Sequence, residues 1–336
     1  MAEPVRYRQP GRSGGAEPSR RLPVSPDGIR SAVGALRRKA RVPDGFPLGS
    51  PTWPGTIERP PVERRLGVDY DTDWAREPAA RIGRALVQEV LAAPAVRAVA
   101  SPRVRGLDRI AHLDEPVIFA ANHASHLDAP LLVSVIPERW RRELFVAGAA
   151  DYFFDTRLKA ATFALLLNAV PIERQRVSRS SANRVSELLA DGWSMLIFPE
   201  GGRSPDGWGQ PHRAGAAWMA ARTGRPIVPV HVEGTGRILS KGSRKLRPGR
   251  TTVTFGRPLR PGAGTDPRAL AVELEQTIAA LADEVGSDWY SARRRAAAGT
   301  TPPLTGPDGS EWRRAWALGE RSSSARRSRR AERWPR

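Results

Sequence analysis

The chain has no cysteine, so disulfides, thiolate metal sites and cysteine nucleophiles are all excluded. Long apolar runs are missing too. The best candidate, residues 160–167, falls well short of the roughly 18 residues of a membrane span, so any membrane contact is expected to be peripheral. The first ten residues lack the apolar segment of a secretory leader, and none is expected. Lysine is scarce: Lys39, Lys159, Lys241 and Lys245 are the only ones among 54 basic residues, so the positive charge is nearly all arginine. With 35 acids the formal net charge is +19, which points to an anionic partner such as lipid head groups, a phosphorylated substrate or nucleic acid.

The 336 residues divide by composition. Residues 1–75 form an arm rich in Pro, Gly, Ser and Arg without sustained apolar periodicity, expected to be disordered or loosely attached. Gly11-Arg12-Ser13-Gly14-Gly15 matches the G-x-S-x-G hydrolase pattern but lacks the strand before and helix after that the motif needs. Residues 76–290 form the main domain. Its first helix, 80–93, carries Ile82, Leu86, Val90 and Leu91 at helical spacing, is expected to pack on the domain, with a membrane-surface helix as the alternative, and is expected to stop at Pro94. Short apolar runs then alternate with helical patterns, implying an α/β fold of three layers, a mostly parallel or mixed sheet flanked by helices. Strands are expected at 117–121, 144–147, 169–172, 195–198, 227–232 and 252–255, and helices at 181–190 and 214–222. Asp266-Pro267 opens an amphipathic helix with Leu270, Leu274, Ile278, Leu281 and Val285 on its apolar face. From residue 291 twelve arginines face four acids, a tail expected to be disordered, with a place on anionic lipid as the alternative.

The chemistry concentrates in Asn122-His123-Ala124-Ser125-His126-Leu127-Asp128, set between two apolar runs. Histidine exchanges a proton near neutrality, and a carboxylate on one ring nitrogen leaves the other as a general base. On a regular helix, five residues turn through roughly 500° and leave the two side chains about 140° apart. A His123–Asp128 pair therefore needs His123 on a loop, with the helix starting near Ala129 under Pro130. A plain reading stands beside this one: Ser125 and Asp128 also fit a capping box.

Three further stretches bear on the choice. Asn168-Ala169-Val170-Pro171-Ile172-Glu173-Arg174 ends a strand with an arginine able to hold a phosphate through two hydrogen bonds. In Phe198-Pro199-Glu200-Gly201-Gly202-Arg203-Ser204 a strand runs into a glycine turn that can aim amide groups at an anion, with Arg203 adding charge. Ile227-Val228-Pro229-Val230 is a strand whose proline suggests an edge or an irregularity.

In this order the four stretches resemble the blocks of the glycerolipid acyltransferase family, whose best known members are the 1-acylglycerol-3-phosphate acyltransferases. Asn122, His123, Ser125 and Asp128 match the first block, and Pro171, Ile172 and Arg174 the second, with Asn168 where glycine is usual. Phe198, Pro199, Glu200, Gly201, Arg203 and Ser204 match the third, with Gly202 where threonine is usual, and Val228-Pro229-Val230 the fourth. The resemblance covers roughly residues 100–260. It implies an enzyme of phospholipid biosynthesis that moves a fatty acyl group from acyl-CoA or acyl carrier protein to a hydroxyl of a lysophospholipid or glycerol-phosphate-type acceptor. The thioester is attacked directly, with no acyl-enzyme, no metal and no cofactor beyond that co-substrate. His123 is the implied base and Asp128 its orienting group. Asn122, Ser125, Arg174, Glu200, Gly201, Gly202 and Arg203 are implied to bind substrate, and the departures at Asn168 and Gly202 to bear on acceptor specificity. The implied location is cytoplasmic, peripheral on the inner face of the cell membrane, with no specific nucleic-acid partner.

Tyr152, Phe153, Phe154 and residues 163–167 fit either buried core or an acyl-chain site. Among rival functions, His123, His126 and Asp128 are a conceivable ligand set for a metal-dependent hydrolase, although His112, His212 and His231 show no paired spacing. A nucleic-acid binder using the basic tails lacks any helix-turn-helix, zinc or ribonucleoprotein motif. A non-catalytic relative is the third alternative.

Overall fold

Strand β2, Ile118–Ala121, sends alternate side chains into two cores, as an extended chain must. Val117, Phe119 and Ala121 belong to one apolar cluster, with Val96 and Ala100, Leu131 and Leu132, and Val253 and Phe255. Ile118 and Ala120 belong to the other, with Val185, Leu189, Ala217, Leu270, Leu274 and Ile278. A strand buried on both faces reads as a continuous apolar run and belongs in the middle of a three-layer domain.

The computed structural model describes residues 66–173, 179–241, 245–262 and 264–318. Seven strands make one mixed sheet in the order β1-β7-β6-β2-β5-β3-β4. They are β1 Pro102–Arg105, β2, β3 Leu144–Ala149, β4 Ala169–Ile172, β5 Ser194–Ile197, β6 Ile227–Glu233 and β7 Thr251–Phe255. All neighbours run parallel except β6 and β7. The α/β expectation and six strands hold within a residue or two. Strand β1 was not anticipated, because Pro-Arg-Val-Arg offers a single large apolar residue. Pro229 lies inside the sheet rather than at an edge; its carbonyl accepts Gly256 N–H at 2.8 Å just past the end of β7, so its missing donor faces a point where that neighbour gives out.

Helix α1, Pro78–Val87, runs through a π turn, Gln88–Ala92, into α2, Ala93–Ala100. The expected stop at Pro94 does not occur. Ala93 N–H reaches back five residues to Gln88 O, and this widened turn accommodates a proline ring that a regular α-turn would exclude. Nor does the apolar face pack on the domain: Ile82, Leu86, Val90 and Leu91 are 71%, 63%, 60% and 64% exposed.

Helix α3, Asp128–Val135, follows the histidine loop, and α4, Arg157–Leu167, ends at Asn168. Helices α5 (Arg179–Ala190), α6 (Gly215–Thr223) and α7 (Pro267–Gly286) occur where periodicity places them. The Asp266 side chain caps α7 on Arg268 N–H, and Leu270, Leu274, Ile278, Leu281 and Val285 are all buried.

Of the arm assigned to residues 1–75, only 66–75 are described, and they fold onto the domain, with Gly67 N–H on Phe154 O and Tyr70 against the Phe154 ring. The tail expected to be disordered from 291 is ordered to residue 318. Helix α8, Trp289–Ala297, is joined to α7 by Arg295, whose Nε and Nη2 donate to the two Asp283 oxygens at 2.6 and 2.8 Å. Residues 311–318 are helical and Leu304 is buried. Composition concealed this because a few arginines find carboxylates at long range, which no local pattern records.

Candidate active site

Strands β2 and β5 pair in parallel with Ala120 opposite Ile197. Three residues past each of these stand His123 and Glu200, so both loops leave the sheet at its carboxyl edge, where open α/β sheets bind ligands. His123 N–H donates to Glu200 Oε1 at 2.8 Å, and Ser204 N–H donates to His123 O at 2.9 Å. Glu200 also accepts Gln210 N–H at 3.0 Å. It is 3% exposed, and burial pushes its carboxyl up from 4.5 to about 7, partly offset by the His123 and Gln210 N–H groups.

The His123 ring Nδ1 lies 2.9 Å from Asp128 Oδ2. The same oxygen accepts Ala124 N–H at 2.7 Å and Ser125 N–H at 2.8 Å. An oxygen engaged with two backbone donors acts as an acceptor, so Nδ1 carries the hydrogen and Nε2 is left basic. The N-cap of α3, Leu127, has no side-chain cap and the Ser125 hydroxyl donates to Leu239 O, so the capping box holds only in its acidic half, the bond from Ser125 N–H to Asp128. Asp128 sits in the first turn of α3, fully buried, with His123 on the loop before it. Phe198 stacks on the imidazole at 4.1 Å between centroids and an interplanar angle of 21°.

Two cavities meet at His123. One, of about 590 Å³, is apolar, lined by Val87, Leu91, Val133, Phe153, Phe163 and Leu167 among others. The second, of about 760 Å³, carries three cations among the described residues, Arg203, Arg213 and Lys241, against one carboxylate, Glu173. His123, His126, Tyr152, Phe153 and Phe198 line both. The aromatic stretch is thus divided, since Phe154 is core while Tyr152, Phe153 and Phe163 face the cavities.

Several residues expected to bind substrate also make structural hydrogen bonds. Asn122 extends β2 toward β6, its amide donating to Val232 O at 2.9 Å and accepting Val232 N–H at 2.7 Å. Ser125 is fully buried, and its hydroxyl donates to Leu239 O at 2.7 Å. Glu200 holds the two backbone N–H groups described above. Gly201 N–H closes the turn on Phe198 O at 3.0 Å rather than pointing at an anion. Its φ of +71° favours glycine, and the Arg213 side chain lies over it. Gly202 and Arg203 line the cationic cavity, whereas Arg174 lies outside the described residues. Asn168 ends α4 at φ +49°, a left-handed conformation that asparagine tolerates, and its buried amide donates to Leu144 O at 3.0 Å.

His126 turns from His123 to Tyr152, with Nε2 3.0 Å from the phenol oxygen. Burial first, then Arg203, lowers its pKa and favours the neutral ring. Among the described residues no three His, Cys, Asp or Glu side chains group as metal ligands would, and the proposed set of His123, His126 and Asp128 does not converge. Sequence reasoning missed Arg213 and Lys241, which stand alone in the chain. Phe198 had a signal, lying two residues before Glu200 in the third block.

A family model described as Acyltransferase matches residues 101–233. The chloroplastic 1-acyl-sn-glycerol-3-phosphate acyltransferase BAT2 of Brassica napus is 31% identical over 159 residues, covering 46% of this chain and 44% of that protein. The chloroplastic 1-acyl-sn-glycerol-3-phosphate acyltransferase LPAT1 of Arabidopsis thaliana is 30% identical over 183 residues, covering 54% of this chain and 49% of that protein. The chain thus spans about half the length of the curated relatives it matches. The crystal structure of the 1-acyl-sn-glycerophosphate acyltransferase PlsC from Thermotoga maritima aligns with a TM-score of 0.48 at 23% identity, covering 60% of this chain and 80% of that one. The segment that matches the Acyltransferase model, residues 101–233, holds His123, Asp128, Glu200 and Arg203.

Proposed function

We propose that this chain is a 1-acylglycerol-3-phosphate-type acyltransferase, moving a fatty acyl group from an acyl thioester to the free hydroxyl of a phosphate-bearing lysolipid. One observation carries the reading: a carboxylate-held imidazole lies where an apolar cavity meets a cationic one. The acyl chain occupies the apolar cavity, and the acceptor's phosphate lies among Arg203, Arg213 and Lys241. The names of the relatives point the same way.

Asp128 fixes the His123 tautomer and Phe198 limits rotation of the ring. Nε2 takes the proton of the acceptor hydroxyl as its oxygen bonds to the thioester carbonyl carbon. Collapse of the tetrahedral intermediate breaks the carbon–sulfur bond, and the thiolate leaves with the proton held by the imidazolium. Acyl-CoA or acyl carrier protein serves as donor, and no cofactor takes part. Holding both reactants at one imidazole supplies much of the rate.

Among the described residues no helix is long and apolar enough to cross a membrane. The exposed face of α1 and the π turn after it instead meets the lipid surface. Leu91, 64% exposed, also lines the apolar cavity, so a lysolipid can pass from bilayer to site along a continuous apolar path. The net charge of +19 favours the anionic cytoplasmic leaflet of the cell membrane.

Thiol release from acyl-CoA, measured with a panel of lysophospholipids, tests the reading. His123→Ala and Asp128→Asn are expected to fold yet lose about 10²- to 10⁴-fold in kcat, the usual worth of a positioned general base. Normal turnover by His123→Ala overturns the mechanism.

A further inference from the structure

The loop after Arg203 is held from outside the family-matched segment. Trp208 is only 6% exposed although it lies among bends and turns. Its indole N–H donates to Arg314 O at 2.9 Å, and Arg314 Nε donates to Asp206 Oδ2 at 2.8 Å. Gly209 N–H donates to Leu304 O at 2.9 Å. A side chain at Gly306, where φ is +75°, would collide with the Trp208 ring, and one at Gly207 with Leu318. Residues 304–318 thus lie directly on the loop at four successive positions, Asp206 to Gly209.

The loop's other side is tied to the histidine. Gly207 N–H donates to Ser204 Oγ at 2.7 Å, and Ser204 N–H donates to His123 O at 2.9 Å. Arg203 is the next residue, its carbonyl accepting Gln210 Nε2 at 3.0 Å and Lys241 Nζ at 3.2 Å. A Ser-Pro-Asp-Gly turn left to itself samples several conformations, and ordering it on binding would weaken affinity. Contacts made during folding remove that cost beforehand.

We propose that residues 304–318 are a strap that positions Arg203 for the acceptor, acting through Asp206 and Trp208 as positioning residues. The proposal rests on the reading of Arg203 as acceptor-binding. Because Arg203 meets the acceptor's charged group and not the thioester, the strap governs acceptor affinity and leaves donor affinity alone.

The test uses the full chain with Arg314→Ala, Arg314→Lys and Trp208→Ala, assayed with acyl-CoA and lysophosphatidate. Arg314→Ala and Trp208→Ala should raise the acceptor KM about tenfold, with kcat and donor KM within about twofold, and Arg314→Lys should recover part of the loss. Peptides spanning 201–209 should exchange amide hydrogen faster in the alanine variants, with α7 peptides unchanged. An unmoved acceptor KM overturns the proposal, and so does a parallel rise of both KM values with a falling Tm, which marks a general structural role. If the wild-type chain acylates no acceptor, the functional reading fails on its own. Exchange then decides the strap, and unchanged exchange of 201–209 in Arg314→Ala overturns it.

Discussion

Glu200 shows how one side chain links stability to the site. Its two oxygens hold the N–H groups of His123 and Gln210, and burial raises its carboxyl from 4.5 to about 7. The folded value lies above the unfolded one, so the neutral form is favoured by folding. Its contribution is complete below about 4.5 and is lost as pH rises through about 7. In Glu200→Gln, the Tm relative to wild type should improve across that window, read from thermal unfolding at a series of pH values. Parallel profiles would contradict the assignment. The glutamine keeps a single acceptor oxygen, so one of the two N–H groups loses its partner at a cost of about 1–3 kcal/mol, and turnover should fall as the His123 backbone loosens. At this scale the His123–Asp128 pair was legible, because its spacing requires a loop and Pro130 supplies the helix start. The work of Asn122 and Ser125 was not, since their partners, Val232 and Leu239, lie more than a hundred residues away.

Among the elements, α1 and the π turn after it depart furthest from their sequence reading. Their periodicity is that of a core helix, yet Ile82, Leu86, Val90 and Leu91 face outward. Periodicity says that an apolar face exists and not what covers it. Replacing all four by serine should leave Tm nearly unchanged, whereas a buried face would lose about 2–5 kcal/mol per large side chain. The same variant should lose co-sedimentation with phospholipid vesicles. A large fall in Tm would return the face to the core, and undiminished vesicle binding would refute its role at the membrane. Helix α7 behaves as its pattern says, because Asp266 and Pro267 start it and five periodic apolar residues bury against the sheet. The helix stop at Pro94 was misjudged because a π turn takes up the proline, and such turns leave no periodic trace.

For the whole molecule, charge and apolar surface act together. If the net charge of +19 contributes to membrane affinity, binding to phosphatidylglycerol vesicles should weaken steeply as salt shortens the Debye length from about 10 Å at 0.1 M to about 3 Å at 1 M. Binding to neutral phosphatidylcholine vesicles should change little. Equal salt dependence on both would remove electrostatics from the account. The chain alone determined what depends on neighbours in sequence: the run of strands and helices, the histidine loop, the glycine turn and the absence of thiol chemistry. Only the fold decided what depends on register and packing. Pairing Ala120 with Ile197 brings His123 and Glu200 together across 77 residues, while the packing of the other elements adds Arg213 and Lys241 to the cationic cavity and lays residues 304–318 on the Arg203 loop. Those contacts arise from how the sheet and its helices pack, and no local pattern of side chains encodes a distance between residues so far apart.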